Sequence, residues 1–196
     1  DEKVKFLRFP LLPETLDKGD KQQKLRYLIR HLSNYNRDGY IYYLDGDDIL
    51  HPHIVKHITT DNNGHGYFVG EGYLVDLKNG KAVQYGFGLN VDYPFYILNG
   101  SVTALRFDCR KNRSSVYPAF MRAPHMDSHI RLKEFGFELK GIPFPAVLYV
   151  FNHGENLETH RNKDASKINT LDGALEFDEF FSLMVKDFKL DEADFF

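Results

Sequence analysis

The chain has no tryptophan, one cysteine and three methionines in 196 residues. A single thiol, Cys109, forms neither an internal disulfide nor a paired-cysteine zinc site, which excludes cysteine-stapled scaffolds and fits a reducing compartment such as the cytoplasm. An excess of one charge is lacking too. Lys and Arg number 25 against 28 Asp and Glu, so the formal charge is −3 and argues against generic nucleic-acid binding. Long apolar runs are also missing: Ile142 to Phe151 falls well short of the roughly 20 residues that a membrane-spanning helix needs, and neither a span nor a secretory leader is expected. Repeats and low-complexity tracts are absent.

What remains is 42% hydrophobic and rich in Phe and Tyr, in a length that suits one packed domain. Val4 to Phe9, stopped by Pro10, reads as a short buried strand. Leu25, Leu28, Ile29 and Leu32 recur at helical spacing and predict an amphipathic helix over 20–33. Tyr40 to Leu44 reads as a strand, then come Asp45-Gly46-Asp47-Asp48 and a helix opening near Pro52. Asp61 to Gly66 is a turn cluster. Tyr67 to Asp76 and Ala82 to Phe87 flank Asn79-Gly80 as a hairpin. Further strands are expected at Val102 to Phe107 and Val147 to Phe151, with a basic loop at Arg110 to Ser115 and a helix over 127–135 ended by Gly136. The pattern predicts an α/β domain with one mixed sheet over residues 1–173, followed by an acidic amphipathic helix over 174–196 packed on that domain.

The acidic turn is the first candidate site. Three carboxylates within four residues repel one another, and a position at the end of a buried strand raises that cost unless a cation compensates. Hard carboxylate oxygens suit Mg²⁺ or Mn²⁺, ions that commonly bridge to substrate phosphates. The plainer reading is a solvated turn in which Asp48 caps the helix at Pro52.

The segment Tyr40-Ile41-Tyr42-Tyr43-Leu44-Asp45-Gly46-Asp47-Asp48 resembles the DxD region of GT-A fold glycosyltransferases, in particular family 2. His125-Met126-Asp127-Ser128-His129-Ile130-Arg131, running on to Gly136, is similar to that family's acceptor-base segment, and Asn152-His153 to its C-terminal metal-binding histidine. This resemblance implies a metal-dependent, inverting, non-processive transferase that moves a sugar from a nucleotide-sugar, UDP-linked by family habit, to a glycan or other hydroxyl acceptor. It implies Asp45, Asp47 and His153 as ligands of Mn²⁺ or Mg²⁺, Asp127 as the acceptor's base, and Asp45, Lys21 and Gly100 near the donor. Met126 departs from the family, which usually has glutamate there, and the absence of tryptophan excludes the QxxRW block of processive synthases. The family's first strand, helix and strand are expected to be missing from the chain as it starts at Asp1. The alternative is an inactive transferase-like module that binds nucleotide or glycan. A phosphatase of the haloacid dehalogenase type, also suggested by the acids, is not matched by Asp48-Ile49.

Other features have plainer readings beside the functional ones. Lys18, Lys21 and Lys24 fit a solvated helix face or phosphate contacts. Arg106, Arg110, Lys111 and Arg113 fit a solvated loop or a lid over diphosphate. Asn99-Gly100-Ser101 is a turn or a sugar-pocket wall. His53 and His57 have the spacing of a metal pair but read as solvent-facing, and Tyr93 to Tyr96 read as core or as a sugar platform.

Overall fold

The computed structural model describes residues 7–10, 20–35, 37–86, 95–111, 113–122, 128–151 and 175–190. Helix α1 (Asp20–Asn34) comes first, then β1 (Asp38–Tyr42), β2 (Asp48–Leu50) and α2 (Ile54–Asp61). Strands β3 (Gly66–Val69), β4 (Gly72–Asp76) and β5 (Lys81–Tyr85) lead to the short α3 (Phe95–Leu98) and β6 (Thr103–Asp108). The chain continues through α4 (Arg113–Arg122), α5 (Ser128–Arg131) and a 3₁₀ turn (Leu132–Phe135). It then forms β7 (Lys140–Ile142), β8 (Val147–Phe151), β9 (Leu175–Glu176) and α6 (Phe177–Phe188).

The strands make two mixed sheets rather than one. Sheet one has the order β1-β6-β3-β7 and sheet two the order β2-β8-β4-β5-β9, with β3–β7 and β4–β8 the parallel pairs. The apolar run Tyr67 to Asp76 is broken at Gly70-Glu71, so its halves enter different sheets as β3 and β4. Gly70-Glu71-Gly72 is the local signal of the break, though it does not tell that the two halves join different sheets.

Side-chain alternation assigns each face. Ile41, Leu105 and Phe107 point from sheet one toward Leu25 and Ile29 of α1 and Val116 and Ala119 of α4. The opposite face, with Tyr67, Val69 and Ala104, shares a central cluster with Leu74, Val147, Tyr149 and Phe151 of sheet two, closed by Ile54 and Ile58 of α2. The outer face of sheet two, with Tyr73, Val75, Leu148 and Val150, is covered by Phe180 and Phe188 of α6. The helix expected over 174–196 is confined to Phe177–Phe188, because Leu175–Glu176 instead pair with β5 as β9, and it packs on its own chain through Phe180 and Phe188. Burying a side chain such as Leu105 or Phe180 contributes roughly 2 kcal/mol, which is why these alternating positions decide the layering.

Gly136 ends the helical segment as expected, at φ 84° with its N–H on the carbonyls of Leu132 and Lys133. Three further local expectations fail. Leu7 to Phe9, the described part of the first predicted strand, forms no strand; Phe9 instead packs edge-on against Tyr27 at 5.5 Å. The basic loop is shorter than predicted, since α4 already begins at Arg113. Asp48 does not cap α2: His53 holds the N-cap position, and Asp48 opens β2, paired with Tyr149 of β8. Among the described residues, no helix is long and apolar enough to cross a membrane.

Candidate functional site

The acidic turn lies where the chain leaves sheet one for sheet two. Beyond β1, the Tyr43 N–H still reaches the Thr103 carbonyl at 3.2 Å, so the strand runs on beside β6 almost to the acids. The turn then closes with the Asp48 N–H on the Asp45 carbonyl at 3.3 Å. Asp45 is half-buried and Asp47 exposed, whereas Asp48 is only 8% exposed. Among the described residues, Asp48 Oδ1 finds no hydrogen-bond partner. Burial pushes the Asp48 carboxyl up to about 7; the side chains of Ser101 and Asn99 oppose the rise, and the charges of Asp47 and Asp45 add to it. Burial likewise holds the Tyr42 phenol protonated, with Asp48 reinforcing the effect.

The segment before β6 forms the floor of the turn. Asn99 Oδ1 accepts from the Ser101 N–H, an Asx-type turn that curves the backbone. The Tyr42 hydroxyl donates to the Ser101 carbonyl at 2.8 Å, and the Asp45 N–H donates to Ser101 Oγ at 2.8 Å. Gly100 lies directly under the Asp45 carboxylate: a Cβ there would stand 2.7 Å from Oδ2. A cavity of about 710 Å³ is lined by Asp45 itself together with Phe9, Tyr27, Ile41, Tyr43 and Lys24. That volume lies in the range of small-molecule sites, and a ring-rich wall with a few polar groups at one end is the usual composition of such a site.

Of the residues expected from sequence, the fold brings Asp45 and Gly100 into contact and sets Asp47 on the exposed side of the same turn. Lys21 sits in the first turn of α1 with its side chain outside the described residues, while Lys24, one turn on, borders the cavity. Asp127, His153, Lys18 and Tyr93 lie outside the described residues. Tyr96 is core. The basic loop does not approach the acids. Arg110 and Lys111 flank Asp108, which pairs with Asp38 at the far end of β1, about 20 Å from Asp45 along an extended chain. The histidine pair is not uniformly solvent-facing: His53 is exposed, but the His57 ring packs against Tyr67 and Phe144, at 5.8 and 5.5 Å.

Among the described residues, no three His, Cys, Asp or Glu side chains gather as a metal-binding group. The donor set of the turn nevertheless fits a hard divalent cation, because Mg²⁺-type ions are commonly held by one or two carboxylates with water and substrate phosphate completing the shell. The Asp48 carboxyl is held towards its protonated form chiefly by burial, with the charges of Asp47 and Asp45 adding to the effect.

Sequence reading missed Ser101 as a tether and Phe9, Tyr27 and Tyr43 as a shared wall. Asn-Gly-Ser before a strand is a visible turn signal, but nothing local links it to Asp45. No family model, curated protein or solved structure matches the chain.

Proposed function

We propose that the chain is a metal-dependent, inverting, non-processive glycosyltransferase of the GT-A type that takes a nucleotide-sugar, with UDP as the nucleotide, and delivers the sugar to a hydroxyl acceptor. The observation that carries this reading is the pairing of a two-carboxylate turn at the carboxyl end of β1 with an aromatic cavity immediately beside it. The cavity takes the nucleoside, with a ring wall for the base and Lys24 near the phosphates. Asp45 and Asp47 hold Mn²⁺ or Mg²⁺, with His153 as the further ligand that the family resemblance implies. The bound ion supplies neutralisation of charge on the departing diphosphate.

Asp127 is the acceptor base in this reading. The acceptor oxygen forms a bond to the anomeric carbon from the side opposite the diphosphate, its proton passes to the Asp127 carboxylate, and the bond to the diphosphate breaks. With an acceptor identified, Asp127→Asn is expected to lower transfer on the order of 10²- to 10⁴-fold while UDP binding survives. Turnover within a few-fold of wild type removes Asp127 from the mechanism. Calorimetry with UDP, with and without Mn²⁺, tests the site itself, and the absence of any metal-dependent gain refutes the proposal. Wild-type protein that binds UDP with metal but transfers to no acceptor marks the nucleotide-binding module instead.

A further inference from the structure

Asp45 is held at two points by two consecutive residues of another segment. Its backbone N–H is fixed on Ser101 Oγ at 2.8 Å, and its carboxylate Oδ2 rests where a side chain at position 100 would be, 2.7 Å from an ideal Cβ. Ser101 is fully buried, and its backbone groups are committed to the same structure: its N–H to Asn99 Oδ1 and its carbonyl to the Tyr42 hydroxyl. A buried serine with its N–H, carbonyl and hydroxyl all engaged behaves as a rigid peg. Gly100 shows no left-handed backbone angle, so the need for glycine there is one of space. That space is filled by the Asp45 carboxylate. The other glycine of the site, Gly46, meets nothing within 4 Å where a Cβ would stand, so the constraint belongs to position 100 and is not general to the turn.

We propose that Gly100 and Ser101 are positioning residues for Asp45, and that this mould, acting through Asp45, sets how strongly a divalent cation enhances nucleotide binding. The inference rests on the function proposed above. A methyl group at position 100 meets only the far end of a flexible side chain, so the carboxylate swings away while the backbone stays. An alanine at position 101 leaves the Asp45 N–H without its acceptor and also removes the Ser101 hydrogen bond to the Asp48 side chain, so it loosens the turn at two of its acids.

The test uses the full chain, Mn²⁺ and UDP, with calorimetry for the nucleotide and electron paramagnetic resonance for free Mn²⁺. Gly100→Ala is expected to lower metal-free UDP affinity less than the Mn²⁺-dependent gain, because of the cavity lining it displaces only the Asp45 carboxylate. The Mn²⁺-dependent gain is expected to fall on the order of tenfold or more, since losing a group that orients a metal ligand typically costs about 10- to 100-fold in metal affinity. Ser101→Ala is expected to fall in the same direction. A Gly100→Ala protein with the wild-type gain overturns the inference and leaves the proposed function standing; wild-type protein with no gain overturns both. Parallel loss of metal-free and metal-dependent affinity also overturns it, since that is general damage to the pocket. A second measurement covers poor folding of either variant: far-UV circular dichroism and the urea midpoint are read beside binding, and a variant folded as wild type that keeps the wild-type Mn²⁺-dependent gain overturns the inference.

Discussion

The two ends of β1 carry the same kind of residue in opposite circumstances. At its start, Asp38 faces the Arg106 guanidinium at 2.8 Å, and Asp108 across the ladder is flanked by Arg110 and Lys111. Arg106 also donates to the Gly39 carbonyl and lies over the Tyr40 ring. At the other end, three carboxylates share one turn, and the charges of two of them push the buried third further in the direction that burial already drives it. One end neutralises its acids within the fold. The other gathers acids and borders a cavity. Acids beside arginine and lysine read as structure, whereas a turn that places three acids within four residues is where the function proposed above puts its cation.

The largest expected effect separates the two ends by the same substitution. Asp47→Asn should abolish the Mn²⁺-dependent gain in UDP affinity, whereas Asp108→Asn should leave it within about twofold, because the sites are too distant to couple. Calorimetry on both variants decides this. Equal behaviour would erase the distinction between a functional and a structural acidic end.

The next effect is in stability. In metal-free buffer, Asp48 ionises near pH 7 in the folded chain but near 3.8 when unfolded, so the folded state holds the proton more tightly. Its contribution to stability is fully present below about pH 4 and is lost as pH rises through about 7. Asp48→Asn removes this dependence. Relative to wild type, the variant should gain stability as pH rises, by up to a few kcal/mol once Asp48 is fully ionised. Urea denaturation across that range reads the difference, and parallel pH curves for the two proteins would show that Asp48 is not the strained group.

The smallest effect is expected at the satisfied end. Arg106→Lys keeps the charge but loses the planar guanidinium that serves Asp38, Gly39 and Tyr40 together. The expected loss is about 1 kcal/mol or less in denaturation, with UDP binding unchanged, since partly exposed pairs contribute little. A clear change in nucleotide affinity would mean that the two ends communicate through β1.

Much of this contrast is legible in the sequence, but unevenly. The amphipathic α1, the strand into the acidic turn, the hairpin at Asn79-Gly80 and the Gly136 stop all follow from spacing and turn chemistry within a few residues. Asp48 reads wrongly as a helix cap because its sequence position before Pro52 satisfies the capping pattern, while its pairing with Tyr149 is invisible locally. The basic loop looks suited to the diphosphate by charge alone. Its antiparallel register places it at the wrong end of β1.

The sequence by itself determined α1 and its buried face, the strands entering the acidic turn and the Asn79-Gly80 hairpin, and the acidic turn itself, because periodicity and backbone preference act over neighbouring residues. Only the tertiary structure decided that one apolar run divides between two sheets, that Asp48 is buried, and that Gly100 and Ser101 hold Asp45 across 56 positions of chain. Those outcomes depend on strand register and on which faces close over which. Register is a property of distant segments that find each other, and no window of a few residues contains it.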